Sequence, residues 1–171
     1  YHNQIYPEDQ MVYPGNEGAS GIVSCVKINR DNFAWSPFTF KNRECPVIYE
    51  MLFGDFTETH DIAGAMKKLD YLQTLGVNAV ELMPIQEFDG NESWGYNPTH
   101  YFALDKAYGT REQYKQFIDE CHKRGIAVIV DVVYNHSTGA SPLAKLYWNS
   151  TDNKTASNNP YFFVDARHDF N

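Results

Sequence analysis

Apolar residues in this chain gather into three short runs, at 47–53, 77–83 and 126–133. None of the three alternates strictly between apolar and polar. Near-continuous runs of this length suit parallel strands buried on both faces, because a strand with one wet face would alternate. Between the runs the period becomes helical. Ile62, Met66, Leu69 and Leu72 set an apolar stripe on a helix over about 61–75, with Gly76 where a C-terminal cap belongs. Tyr114, Phe117, Ile118 and Cys121, at i, i+3, i+4 and i+7, do the same over about 111–124. Thr110 and Gln113 have the spacing of a capping box, and Gly125 stands past the far end. The predicted order is β-α-β-α-β with right-handed crossovers.

This α/β order fits an open doubly wound sheet or part of a (β/α)8 barrel. The residues after the first run are Gly54-Asp55-Phe56-Thr57, not a glycine-rich dinucleotide loop, so a dinucleotide site is not expected. Residues 84–109 form a long insertion at the C-terminal end of the second strand, where barrels carry their functional loops. A closed barrel needs about 200–250 residues or more. A barrel reading therefore makes these units a partial barrel: the first three β/α units and the start of an excursion after strand three. Residues 1–46 read as an extended lead-in, or linker from a preceding domain. Their one strand-like stretch sets Ile22, Val26 and Ile28 against Val23 and Cys25. Residues 47–136 are the β/α part, and 137–171 an irregular excursion rich in Asn, Ser, Thr and Asp.

Composition narrows the function classes. The 171 residues are 43% hydrophobic, 15% aromatic and 21% charged, which is globular and not disordered. Fourteen Lys and Arg stand against 22 Asp and Glu, a net charge of −8 with no basic run. Nucleic acid is therefore not an expected partner. No apolar stretch approaches the roughly 18–20 residues of a membrane span, so no membrane role is expected. The chain opens on Tyr1 and not Met, so it reads as an excised or mature piece whose compartment is open. Three cysteines without a Cys-x-x-Cys pair favour reduced thiols, and Cys121 on its apolar stripe reads as buried. Asn-x-Ser/Thr matches at Asn91, Asn135, Asn149 and Asn153 carry no weight without a secretion signal.

Several polar residues interrupt the apolar runs. Asp131 is costly inside a strand unless paired, as a structural acid or a site acid. His136, preceded by Asn135, stands five residues on, at the site end of a parallel strand. It reads either as a loop histidine or as a group that meets substrate. Glu50 and Glu81 fit a polar layer inside a barrel better than a catalytic carboxylate pair. His100 and His136 lack zinc-ligand spacing. Trp94-Gly95-Tyr96-Asn97-Pro98 offers flat aromatic faces beside polar groups, suited to sugar rings or to filling a long loop.

Together these segments resemble glycoside hydrolase family 13, the α-amylase superfamily. Asp131-Val132-Val133-Tyr134-Asn135-His136 is similar to the family's first conserved region, at the end of strand three. Gly76-Val77-Asn78-Ala79-Val80-Glu81-Leu82-Met83-Pro84 is similar to its strand-two motif. Trp94 to Pro98 resembles the loop that follows. The wording leans toward the pullulanase, isoamylase and branching-enzyme side. The resemblance implies a retaining α-glucan-active glycoside hydrolase, of amylase or pullulanase type, acting on starch- or glycogen-like polysaccharide. A branching enzyme or other transferase, or a non-catalytic α-glucan-binding fragment, are the alternatives. It implies that Tyr96 stacks on the sugar at the cleaved bond, beside Trp94. His136 would bond that sugar's hydroxyls, and Asp131 would hold the site in place. Asn135 matches a calcium-ligating position, so calcium is an expected option and no cofactor is required. The resemblance puts the nucleophile and the acid/base beyond Asn171, so no residue here is expected to be catalytic. A partial barrel with open sheet edges is also expected to self-associate.

Overall fold

A computed structural model describes residues 32–41, 43–90 and 92–165. The strand-like stretch at 22–28, Cys25 and Asn91 lie outside the described residues. Three parallel strands form the central sheet in the order β1 (Ile48–Met51), β2 (Ala79–Leu82) and β5 (Ala127–Val130). All three apolar runs thus become adjacent parallel strands, although each is shorter than its run. Phe53 leaves β1 to open a single-turn helix, α1 (Phe53–Phe56).

The stripe at 61–75 is not one helix. It splits into α2 (Ile62–Met66) and α3 (Leu69–Thr74). Lys67 and Lys68 donate their N–H groups three residues back, to Gly64 and Ala65, and this tighter winding ends α2. Lys68 then leaves the helical region at φ −104 and ψ 2. Ile62, Leu69 and Leu72 are nonetheless fully buried, so both halves keep the apolar face that the spacing predicts. Asp61 caps α2 by accepting from the Gly64 N–H at 2.8 Å.

The other predicted helix is α4 (Arg111–Lys123). Its capping box is complete: Gln113 N donates to Thr110 Oγ1 and Thr110 N donates to Gln113 Oε1. Tyr114, Phe117 and Cys121 are buried, and Cys121 is a free thiol pushed up to about 12 chiefly by burial. Asp119, one residue off the stripe, is buried too. Ser36 donates its backbone N–H (2.6 Å) and its hydroxyl (3.1 Å) to that carboxylate, and Lys123 pairs with it at 3.0 Å. These contacts hold residues 33–38 against α4, where Phe38 also stacks on His122 with ring centres 4.0 Å apart.

The insertion at 84–109 contains a second sheet that the apolar pattern does not announce. Strands β3 (Gln86–Phe88) and β4 (Pro98–Leu104) pair antiparallel across an irregular register. After β5 the excursion also has regular pieces, a short α5 (Pro142–Lys145) and the pair β6 (Trp148–Asn149) and β7 (Lys154–Thr155).

The expectation of burial on both faces fails for the outer strands. Ile48, Ile129 and Val130 are 47%, 38% and 39% exposed, whereas Val80 and Leu82 in the central strand are at 0%. Helices cover one face only. Among the described residues, the outer edges of β1 and β5 have no partner strand. No helix among them is long and apolar enough to cross a membrane.

Candidate functional site

Side chains in a strand alternate between faces, so register decides which acids share one. Glu50 lies opposite Glu81, and Glu81 opposite Ile129. Asp131, two residues past Ile129, continues the same row toward the C-terminal end, with its N–H bonded to Leu82 O at 2.9 Å. All three carboxylates therefore belong to the face that the helices leave open. The polar interruptions of the three runs form one layer.

The loop before β4 reaches over this layer. Its shape depends on Gly95, at φ +90, where a Cβ would lie 2.5 Å from the Pro84 carbonyl oxygen. Ser93 accepts the Gly95 N–H and bonds Asn97, whose amide donates to Asp89 O at 2.9 Å. Held this way, the loop presents Tyr96 to the acids. The Tyr96 hydroxyl donates to Asp131 Oδ2 at 2.7 Å. That hydrogen bond, then burial, then the charges of Asp131, Glu50 and Glu81 push the phenol up to about 12. Tyr96 is accordingly a fixed donor, and 39% of its surface stays open. Among the described residues, the Asp131 carboxylate is thus bonded to a tyrosine.

His136 joins the same cluster. Its Nε2 donates to the Tyr96 carbonyl oxygen at 2.6 Å, and its Nδ1 lies 3.1 Å from Asn135 Oδ1. Tyr101, from β4, donates its hydroxyl to His136 O at 2.5 Å. Tyr96, Asp131, Asn135 and His136 therefore meet at the C-terminal end of the sheet. Trp94 does not join them. It is 66% exposed and faces a neighbouring depression lined by Asp55, His60 and Glu92. His100 sits in β4, bonded to Thr99 Oγ1 at 2.8 Å, its pKa lowered chiefly by burial.

The sequence singles out Tyr101 only as one of the insertion's aromatics; its bond to His136 O and the Ser93–Asn97 clamp were not foreseen. The clamp's signal is a serine and an asparagine flanking Trp-Gly-Tyr, short polar side chains that bond local backbone. Asn135 faces the His136 ring, and no group of three or more His, Cys, Asp or Glu gathers around a metal position among the described residues.

An open acidic layer, a clamped aromatic and a histidine at the carboxyl ends of parallel strands suit recognition of a polyhydroxylated ring. The family model described as "Alpha amylase, catalytic domain" matches residues 29–169. The chain belongs to this α-amylase family. It is 47% identical over 132 residues to the malto-oligosyltrehalose trehalohydrolase of Saccharolobus solfataricus, covering 76% of this chain and 22% of that protein. Identity to the enzyme of the same name from Arthrobacter ramosus is 43% over 106 residues, 61% of this chain and 18% of that one. A crystal structure titled as a putative α-amylase from Salmonella typhimurium superposes with a TM-score of 0.58 at 35% identity, covering 66% of this chain and 21% of that one. The chain thus spans about a fifth of the length of the curated relatives it matches.

Proposed function

We propose that this chain is the substrate-positioning part of a retaining α-glycosidase whose substrate is a malto-oligosyltrehalose. The observation that carries the proposal is the hydrogen-bonded set Tyr96–Asp131 and His136–Tyr96 on the open face of a parallel sheet. Three parallel strands in sequential order support reading them as the first three of a (β/α)8 barrel. In that reading the partial barrel is completed by further units of the parent protein, which also supply the nucleophile and the acid/base.

Retaining cleavage uses two carboxyl groups about 5–5.5 Å apart and passes through a glycosyl-enzyme. The role of this chain is to fix the ring undergoing that reaction. Tyr96 offers one open face to the pyranose, and its hydroxyl is tied to Asp131 so the ring cannot swing. His136 anchors the Tyr96 backbone, with its imidazole edge beside the same sugar. Asp131 aligns the platform and takes no bond-breaking role. Similarity to enzymes named malto-oligosyltrehalose trehalohydrolases supports taking a malto-oligosyltrehalose, among α-glucans, as the proposed substrate.

The test is product analysis on the full-length protein. Malto-oligosyltrehalose should yield free trehalose and a malto-oligosaccharide. Release of only glucose or maltose from starch, with no trehalose from the specific substrate, would overturn the substrate assignment. Elongated or branched glucans as the main product would replace hydrolysis by transfer.

A further inference from the structure

Hydrogen bonds tie the loop after β5 to the insertion hairpin. Thr138 donates its N–H to Pro98 O at 3.0 Å. His136 Nε2 donates to Tyr96 O at 2.6 Å, and the Tyr101 hydroxyl donates to His136 O at 2.5 Å. The last two bonds bracket one residue. The His136 ring is tied just before β4, and its carbonyl is tied within β4. A paired strand is a stiff spacer, so β4 fixes where the ring and the backbone of His136 stand.

Tyr101 is itself braced. Its half-buried ring lies beside Tyr134, with ring centres 6.3 Å apart. Its backbone carbonyl accepts from Gln86 Nε2 at 3.1 Å, across the hairpin. Gln86 is 7% exposed, and its Oε1 has no hydrogen-bond partner among the described residues. A half-satisfied buried amide is costly, so an apolar side chain would serve the packing better. The glutamine instead supplies a fixed Tyr101 backbone. The bonds run on in one line. Gln86 holds Tyr101, Tyr101 holds His136, His136 holds Tyr96, and Tyr96 holds Asp131.

We propose that Tyr101 is a positioning residue for the reaction. Its hydroxyl holds the His136 backbone, so that the imidazole and Tyr96 keep the spacing in which they meet the reacting sugar. Tyr101 acts through His136 and not by contact with the sugar. This rests on the proposed function of the Tyr96–His136 pair and adds to it a residue from a different strand.

The test uses the full-length protein with malto-oligosyltrehalose and three variants: Tyr101→Phe, His136→Ala and the two combined. Tyr101→Phe deletes one oxygen and keeps the ring beside Tyr134. It should lower kcat roughly five- to tenfold, as expected for one hydrogen bond, with KM within about twofold of the wild type. Rates are measured below each variant's melting temperature, so lost stability does not enter kcat. His136→Ala should also lower kcat. Adding Tyr101→Phe to it should then change kcat by less than about twofold, because the group being positioned is gone. An equal fall in both backgrounds would overturn the route through His136. Wild-type kcat in Tyr101→Phe, with His136→Ala impaired, would overturn the proposal and leave the Tyr96–His136 reading standing. Wild-type kcat in His136→Ala would overturn that reading, and the proposal with it. A crystal structure of Tyr101→Phe supplies a readout independent of turnover. His136 should be displaced relative to Tyr96, and an unchanged His136 Nε2 to Tyr96 O bond would overturn the proposal.

Discussion

On the helix side of the three-stranded sheet, Val80 and Leu82 are fully buried and Met51 is 3% exposed, packed among Ile62, Leu69, Leu72 and Phe117. On the other side, the same strands carry Glu50, Glu81 and Asp131 with Tyr96 laid over them. One register thus builds both a dry face and a wet one. The dry face gains from shape and burial, with aromatic pairs such as Phe53 and Phe117 at 5.2 Å. The wet face places three acids close together, where burial would cost several kcal/mol each without partners. Stability and recognition are therefore separable here, residue by residue.

The largest expected effect breaks the dry face. Phe117→Ala should cost about 3–5 kcal/mol, because a fully buried aromatic leaves a cavity against Phe53 and Tyr114. Chemical denaturation of the full-length protein reads it directly. A loss under about 1 kcal/mol would mean that α4 is not held by this core.

Asp131→Ala on the wet face should show the reverse signature. Turnover should fall roughly 10- to 100-fold as Tyr96 loses its charged acceptor, while the melting temperature shifts little. Steady-state kinetics beside a melting curve would separate the two. A large melting shift with unchanged turnover would make Asp131 part of the core and not of the site.

A smaller effect tests a buried acid belonging to neither face. Asp105 is fully buried beside the hairpin, and burial, then the Glu87 charge, raise its carboxyl from 3.8 to about 6. Its folded value lies above its unfolded one. The neutral acid therefore suits the fold below about 4, and a cost enters as pH rises through about 6. Its ceiling is about 3 kcal/mol. Asp105→Asn should flatten stability between pH 4 and 6, as seen in melts across that range. An unchanged slope would assign the pH dependence to other groups.

These contrasts also explain what was legible. The three strands, α4 with its capping box, and the buried Cys121 follow from local period and cap chemistry, which tertiary packing here reinforces. The hairpin was hidden because its buried positions include Gln86, Glu87 and Thr99, polar residues whose side chains bond groups distant in sequence: Gln86 Nε2 donates to Tyr101 O at 3.1 Å. Glu87 bonds Lys106 at 2.6 Å and Thr99 bonds Glu87 O at 3.0 Å, contacts that no apolar count registers. The break in the 61–75 helix leaves the stripe intact and so gives no signal in it. Tyr96, Asn135 and His136 were legible as motifs expected to meet at the strand ends, but the Tyr96–Asp131 bond was not. Tyr96 and Asp131 are 35 positions apart, and only the strand register and the Gly95 turn bring them together.

The most direct test is the position of a bound sugar. A crystal of the full-length protein soaked with a malto-oligosaccharide should show a pyranose on the open face of Tyr96, with a hydroxyl within hydrogen-bond reach of His136 and the Tyr96–Asp131 bond intact. A sugar bound on the helix side, or an open-face site in which Tyr96 has released Asp131 and turned away from the ring, would contradict the assignment.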